Sequence, residues 1–348
     1  RTLTRAQFDH VRAYVERFLD EHADLIEERA DEGRVRDGHG DLRTDSVVFG
    51  PDGPVCVMDC IEFSERLRCG DVASDVAFLA MDTEFRGFMR EADEFVSLYI
   101  GESDKDETLP AMMNFYRVYR AYVRGKVDSM QLEEPEIPAA QRSEAAVRAV
   151  RYFELAEKYA LMSLPRVLVM TAGLSGTGKS FIARALAGRA SAVLLSTDLI
   201  RRQSAHAGGL GPTAYDDAAY TAQRRDMVYA AMIERATRHL SLKRNVVLDA
   251  TFLARRHREL ARGAAASVGV PLLVVEMTAG EPVVRERLTA RANDDSASDA
   301  RWDTYVRQRE DFEPLDDVAP ASLVRLDTTR PLDQLVDDVL DAVGKLAG

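Results

Sequence analysis

The chain is poor in cysteine. Three thiols among 348 residues, Cys56, Cys60 and Cys69, make an odd count and lack the paired CxxC spacing of a zinc site. A disulfide-stapled scaffold is thereby excluded, and the thiols are expected to be reduced, ordinary core residues of a cytoplasmic protein. No apolar run approaches the roughly 18 residues that a membrane helix needs, so no membrane partner is expected. A basic, apolar and small-residue leader is missing too, and the first residue is Arg1 rather than Met, which points to a chain whose beginning is absent. Internal repeats and low-complexity tracts are lacking, as is the Asn/Thr-Lys-x-Asp pattern that recognises guanine.

Positive charge is also scarce where it would matter for nucleic acid. The formal net charge is −12, but residues 1 to 162 hold 21 Lys and Arg against 34 Asp and Glu, whereas residues 163 to 348 hold 25 against 24. The first half is therefore acidic at −13 and the second near neutral at +1. An acidic surface repels phosphate backbones, so nucleic-acid binding is not favoured, although local arginine clusters leave a polynucleotide acceptor open for the second half.

What is present is enough for two domains. Single cores rarely exceed about 250 to 300 residues, and 46% hydrophobic with 30% charged residues is ordinary globular composition. Helical spacing of apolar residues runs over residues 4 to 33, through Phe8, Val11, Val15, Phe18, Leu25 and Ile26. Two short apolar runs, Val47 to Phe49 and Val55 to Met58, flank Gly50-Pro51-Asp52-Gly53-Pro54 and predict a β-hairpin. From Ala73 to Ala160 the pattern is helical again, broken at 101–108 and 131–138.

After Leu164-Pro165 the chain alternates strand and helix. Strands are expected at 167–171, 192–196, 245–249, 272–277 and 322–326, with helices near 179–188, 220–240, 255–268, 281–292 and 332–346. Such alternation specifies a parallel sheet covered on both faces. The expected fold is α/β: a mainly helical domain with a hairpin over 1–164, then a five-stranded parallel domain over 165–348.

Gly173-Leu174-Ser175-Gly176-Thr177-Gly178-Lys179-Ser180 fits GxxxxGK[ST] between a strand and a helix, the context that gives the motif its meaning. The glycines let successive N–H groups close on a phosphate, Lys179 reaches the terminal phosphates and Ser180 is suited to Mg2+. The stretch through Phe181 is the expected nucleotide site, for ATP rather than GTP. Asp198, in Ser196-Thr197-Asp198-Leu199-Ile200-Arg201, stands just past a strand end, where open parallel sheets bind ligands. It is suited to accept a hydroxyl proton, with Arg201 one turn on to hold a phosphate oxygen; the competing role for Asp198 is a helix N-cap. Asp249 ends an otherwise apolar strand, a place for a Mg2+ ligand or alternatively a cap for the residues from Thr251.

These motifs, with "NVVLDATFL" and "RERLTAR", resemble the P-loop kinase branch that includes polynucleotide 5′-kinase, gluconate kinase and the zeta toxins. The resemblance implies Asp198 as base, Arg201 on the transferring phosphoryl, and Arg287 and Arg291 as arginines closing over ATP, with Arg285 close behind. The alternative for each arginine is an exposed helix face with i,i+4 charges.

The first half carries "HGDL" at His39 to Leu42, the hairpin, "MDCIEF" and the GDxxxD of Gly70, Asp71 and Asp75. It resembles the aminoglycoside phosphotransferase family, and more closely bacterial two-part proteins in which such a lobe precedes a P-loop kinase domain. The resemblance implies Asp41 as a base and Asp59 as a metal ligand. It departs at Ser46, where the family has Asn as a metal ligand, and in the absence of a nucleotide-binding lobe upstream. The competing role is structural, with Asp41 and Asp71 tying the loop to the next helix through buried hydrogen bonds.

The reading that follows is Mg2+-dependent transfer of the ATP γ-phosphoryl to a hydroxyl of a small-molecule, nucleotide or polynucleotide acceptor, through Lys179, Ser180, Asp198, Arg201 and Asp249. Two others stand beside it: a nucleotide-dependent regulator, and aminoglycoside-type transfer by the first half. Residues 205–225, with Tyr215, Tyr220, Arg224 and Arg225, are expected to shape the acceptor pocket. No feature of the sequence sets an oligomeric state.

Overall fold

The computed structural model describes residues 2–50, 53–103, 106–162, 164–206, 218–292 and 302–346, without the side chains of 204–206, 218–221, 291 and 292. The chain forms two compact units, one of residues 1–99 with 108–163 and one of residues 164–348 with 100–107. Among the described residues no helix is long and apolar enough to cross a membrane.

The first unit opens with α1 (Arg5–Asp31), which starts at a Thr4 capping box and kinks at His22. Short strands β1 (Val35–Asp37), β2 (Val47–Phe49) and β3 (Val55–Val57), the single-turn helix α2 (Glu65–Arg68) and β4 (Cys69–Asp71) follow. The helices α3 (Val72–Phe85), α4 (Met89–Glu102), α5 (Leu109–Met130) and α6 (Ala139–Leu161) complete the run. Val11 of α1, Phe78 and Met81 of α3, Val118 of α5, and Tyr152 and Tyr159 of α6 share one core. Three-residue strands bury little. β2 and β3 pair as the expected hairpin with Val47 opposite Val57, yet Phe49 is 75% exposed and Val48, Val55 and Val57 are exposed as well.

One expectation for this unit is corrected, and one strand pair is new. Cys56, Cys60 and Cys69 are exposed, not core thiols, because they sit on or beside these thin strands. The antiparallel pair β1–β4, Val35 opposite Asp71, was not foreseen from the periodicity, since three residues are too few for an alternation to show.

The second unit continues with β5 (Leu168–Ala172), α7 (Lys179–Ala190), β6 (Val193–Ser196), α8 (Thr197–His206), α9 (Ala218–Ser241) and β7 (Val246–Asp249). Then come α10 (Arg255–Ser267), β8 (Leu272–Thr278), α11 (Glu281–Ala292), α12 (Trp302–Asp311), β9 (Leu323–Asp327) and α13 (Leu332–Leu346). The five strands form one parallel sheet in the order β6-β7-β5-β8-β9. β5 and β7 are buried along their whole length, as strands covered on both faces must be. α13 shows how its helix is held. Leu332, Leu335, Val336, Val339 and Val343 recur at helical spacing, are all buried, and α13 packs against α7, β8 and β9.

From β5 the chain crosses first toward β6 and β7 and later toward β8 and β9. The C-terminal end of β5 is therefore the topological switch point, where a parallel sheet leaves a crevice for ligands. α12 was not anticipated: the polar run before it, Asn293 to Ala300, conceals where periodicity resumes.

Candidate active site

The loop from β5 to α7 lies at that switch point. Gly173 has φ 132°, and a Cβ there would meet the carbonyl oxygen of Met277 on β8 at 2.4 Å, so only glycine lets the loop pass the sheet. Gly176 at φ 80° sits under Val284 and Leu288 of α11, where a Cβ would come within 2.8 Å of Val284. The end of β5 is tied to the end of β7. The Thr171 hydroxyl donates to Ala250 O at 2.9 Å and accepts from Ala250 N–H at 3.2 Å, and Gly173 N–H donates to Thr251 O at 3.1 Å.

Lys179 opens α7 and is 8% exposed, its Nζ donating to Leu174 O at 2.6 Å. Thr177 Oγ1 donates to the same carbonyl at 2.8 Å. Phe181, on the same first turn, is half-buried. Asp249 ends β7 at 6% exposure and is hydrogen-bonded to the Ser180 side chain. Burial pushes its carboxyl above the usual range. The negative charge of Asp198 adds to that rise, while the Ser180 hydroxyl and the Lys179 and Arg184 charges oppose it. Lys179, Ser180 and Asp198, at the ends of β5 and β6, thus all bear on the charge of Asp249 at the end of β7.

Asp198 stands in the first turn of α8, one residue inside the helix, and Arg201 Nη1 donates to its Oδ1 at 3.1 Å. The pair is half open to solvent, with side chains 40% and 56% exposed. Ser196 Oγ accepts the Asp198 N–H at 3.3 Å, so the cap-like contact here belongs to Ser196. Asp249 likewise caps nothing near Thr251; α10 begins at Arg255 with Ala254 before it.

The loop after β7 is held by residues that sequence reading did not single out. Arg258, fully buried, donates to the carbonyls of Phe252 and Leu253 at 3.1 and 3.0 Å, to Pro314 O at 2.9 Å and to Asp317 at 2.6 Å. Burial would push Asp317 up, but the Arg258 guanidinium brings it below the ordinary carboxylate range. Phe252 N–H donates to the Tyr229 hydroxyl at 3.1 Å, and the His257 ring stacks on Tyr229 at 3.9 Å. Burial holds the His257 imidazole below its usual value, opposed by the bond its Nε2–H donates to the Asp226 carboxylate at 2.7 Å. Nothing in a single sequence separates such an arginine or tyrosine from surface residues of the same type.

Arg287 lies beside the loop: a Cβ on Gly178 would fall 3.2 Å from its Nη1. Its guanidinium donates to Thr328 Oγ1 and to Thr328 O, both at 2.9 Å. Arg285 instead covers the Trp302 ring at 3.9 Å. The side chains of Arg291 and Tyr220, and all of Tyr215, lie outside the described residues. Arg224 and Arg225 are half-buried on α9.

The first unit's loop is built differently. Asp75 accepts from His39 N–H at 2.7 Å and Gly40 N–H at 3.1 Å, and Arg120 donates to Gly40 O at 2.8 Å. Buried Asp82 accepts from Thr44 N–H at 3.0 Å and from the Tyr152 hydroxyl at 3.1 Å. Asp71 caps α3 through Ala73 N–H and takes a two-pronged ion pair from buried Arg29, both contacts at 2.7 Å. Asp41 does not share this role. Its side chain, 36% exposed, meets Arg43 at 3.3 Å, and Asp59 is exposed at φ 64°. Ser46 is buried and donates to Asp41 O at 3.4 Å. The structural tie foreseen for Asp41 and Asp71 thus falls to Asp71, Asp75 and Asp82, while the half-buried Asp41 carboxylate meets the nearby Arg43.

With the loop motif, the switch point and Asp249 in place, one assignment follows. The second unit is a P-loop domain. A family model described as an AAA domain matches residues 168–315. An uncharacterized protein of Mycobacterium tuberculosis strain H37Rv is 33% identical over 307 residues, which make up 84% of this chain, and an uncharacterized protein of Mycobacterium bovis matches to the same extent. The chain spans 60% of the length of these curated relatives. Among solved structures, a gluconokinase from Sinorhizobium meliloti is 25% identical at a TM-score of 0.38, covering 53% of this chain and 94% of that one. The Mycobacterium tuberculosis APS kinase, solved with AMPPNP and APS, is 24% identical at a TM-score of 0.37, covering 52% of this chain and 99% of that one.

Proposed function

We propose that the P-loop domain transfers the γ-phosphoryl of Mg-ATP to a hydroxyl of an acceptor. The observation that carries this reading is Asp249: a carboxylate enclosed at the switch point, bonded to the Ser180 hydroxyl, with the Asp198–Arg201 pair at the end of the neighbouring strand. A buried carboxylate whose proton affinity is raised is costly to the empty protein, and such costs cluster at functional sites. A hydroxyl and a carboxylate are the hard oxygen donors that Mg2+ takes, and the ion, when bound, neutralises charge on the phosphates.

This chain's own residues supply the rest. Loop amides and Lys179 hold the phosphates, Lys179 exchanging the Leu174 carbonyl for a phosphate oxygen. Arg201 turns from Asp198 to an oxygen of the transferring group, which frees the Asp198 carboxylate to take the acceptor's proton. The acceptor oxygen then forms its bond to phosphorus as the bond to the ADP oxygen breaks. Such catalysis is chiefly positioning and electrostatics. Arg287, beside Gly178, is suited to the triphosphate, and Arg291 is assigned alongside it from the resemblance. A small-molecule acceptor in the cytoplasm suits this site.

The first domain, 1–164, is read as a kinase-like lobe whose HGDL loop is a scaffold. Its support is that the carboxylates of half-buried Asp75 and buried Asp82 hold backbone, while Ser46 turns its hydroxyl onto the chain instead of outward.

The test is a γ-labelled ATP transfer screen over sugars, nucleosides, oligonucleotide 5′-ends and aminoglycosides. Asp198→Asn is expected to abolish transfer while keeping nucleotide affinity. No transfer to any acceptor, together with ATP-dependent binding of a partner protein, would replace the kinase reading with a regulatory one.

A further inference from the structure

The peptide unit between Leu174 and Ser175 is held at both ends. Its carbonyl accepts from Lys179 Nζ at 2.6 Å and from Thr177 Oγ1 at 2.8 Å, inside the loop. Its N–H donates at 2.7 Å to Oε1 of Gln308, a residue 133 positions later on α12. Gln308 is 8% exposed, which is unusual for an uncharged polar side chain that caps no helix and joins no strand ladder. A neutral amide is buried at that depth when it has a bond to make.

The rest of α12 makes the contact directional. Trp302, Tyr305 and Gln308 recur at three-residue steps and so share a helix face. Tyr305 is buried with Val284 and Leu288 of α11, and Leu174 of the loop packs on that cluster beside Trp302 and Val306. Trp302 stacks on Tyr305 at 5.0 Å and lies under the Arg285 guanidinium. The same loop residues are thus gripped twice by α12, by packing at Leu174 and by a hydrogen bond at Ser175.

We propose that Gln308 is a positioning residue of the phosphate loop, clamping the Leu174–Ser175 peptide against Lys179 so that the loop is set for phosphate before nucleotide arrives. The inference rests on the P-loop reading and adds to it a residue outside the motif. The clamped N–H faces α12, and Thr177 N–H turns inward to Leu174 O at 3.4 Å, so phosphate is to be met by other amides of the loop and the helix start. The bond therefore supports phosphate binding instead of competing with it: a loop already ordered pays less entropy on binding than a loose one. When Lys179 leaves the Leu174 carbonyl for a phosphate, the far end of the same peptide stays on Gln308, and α12 feels the change.

The chain's only tryptophan, Trp302, reports this event from the same helix. Gln308→Met preserves length and removes the acceptor oxygen. It is expected to weaken Mg-ADP and Mg-ATP binding about two- to tenfold, the worth of one neutral hydrogen bond, and to leave adenosine binding unchanged. The nucleotide-induced change in Trp302 emission is expected in the unaltered protein and lost in the variant, a signature that a purely structural role would not produce. Equal or tighter Mg-ADP binding by Gln308→Met overturns the proposal. Lys179→Ala separates the two readings: if that variant binds Mg-ADP normally, the P-loop reading itself fails. Should Gln308→Met not fold, amide exchange decides in the unaltered, nucleotide-free chain. A slowly exchanging Ser175 N–H is expected, and a rapidly exchanging one overturns the clamp.

Discussion

The HGDL loop of the first unit and the phosphate loop of the second stand among carboxylates that are used in opposite ways. In the first unit Asp71, Asp75 and Asp82 are each fully occupied: by Arg29, by the amides of His39 and Gly40, and by Thr44 with Tyr152. Burial would raise Asp82, but the Thr44 bonds and the Arg86 charge bring it below the ordinary range, so its charge is welcome. In the second unit Asp249 is enclosed with one hydroxyl for a partner and is pushed the other way. Partners that favour its charge hold the Asp82 carboxylate in place, whereas burial works against the charge of Asp249, the balance expected of the ligand-binding role proposed for it. The difference lies in satisfaction of the buried charge, which motif resemblance does not reveal.

The comparison can be broken most sharply at the two loops themselves. Lys179→Ala is expected to lower phosphoryl transfer by about a thousandfold, since it removes a charge aimed at the transferring group, while Asp41→Ala stays within about twofold of the unaltered chain. Labelled-ATP transfer measures both, and the opposite pattern would make the first unit the active one.

Next in size is the Arg29–Asp71 pair. Arg29→Met leaves Asp71 buried without its partner, and the expected loss is about 3 kcal/mol or more in urea unfolding. Mg-ADP binding by the P-loop domain at low urea should persist. A small loss would mean that Asp71 is not the anchor described.

The smallest effect sharpens the contrast from the other side. The folded-state affinity of Asp249 for its proton exceeds that of the unfolded chain, so the folded form holds the proton more strongly and stability falls as pH rises through that window. Asp249→Asn is therefore expected to raise the melting temperature of the nucleotide-free protein at pH 7 to 8. The gain should vanish below about pH 4, where the unfolded carboxyl is protonated too. A lowered melting temperature at pH 7 would show Asp249 to be held by its partners like Asp82.

Much of the second unit could be read before folding because its signals are local. Strands such as Val246–Asp249 are continuous apolar runs since both faces are covered, and α13 shows its buried stripe in five residues. The loop glycines likewise announce backbone that must run at positive φ against β8 and α11. The first unit was legible in its helices and in the β2–β3 hairpin. β1 and β4 are three residues each, too short to carry a period, and the exposed cysteines sit on or beside strands that bury little.

The sequence by itself determined the alternation that makes a parallel sheet, the phosphate loop at its switch point, and the carboxylates available beside it. Those follow from periodicity and from residue types at fixed short spacing, which each segment carries alone. Only the tertiary structure decided which carboxylates are held by partners and which is enclosed with its proton affinity raised, and that Gln308 meets Ser175 across 133 residues. Burial and partnership are properties of what the fold brings alongside a side chain, and the free energy of a buried charge or amide is set by those neighbours.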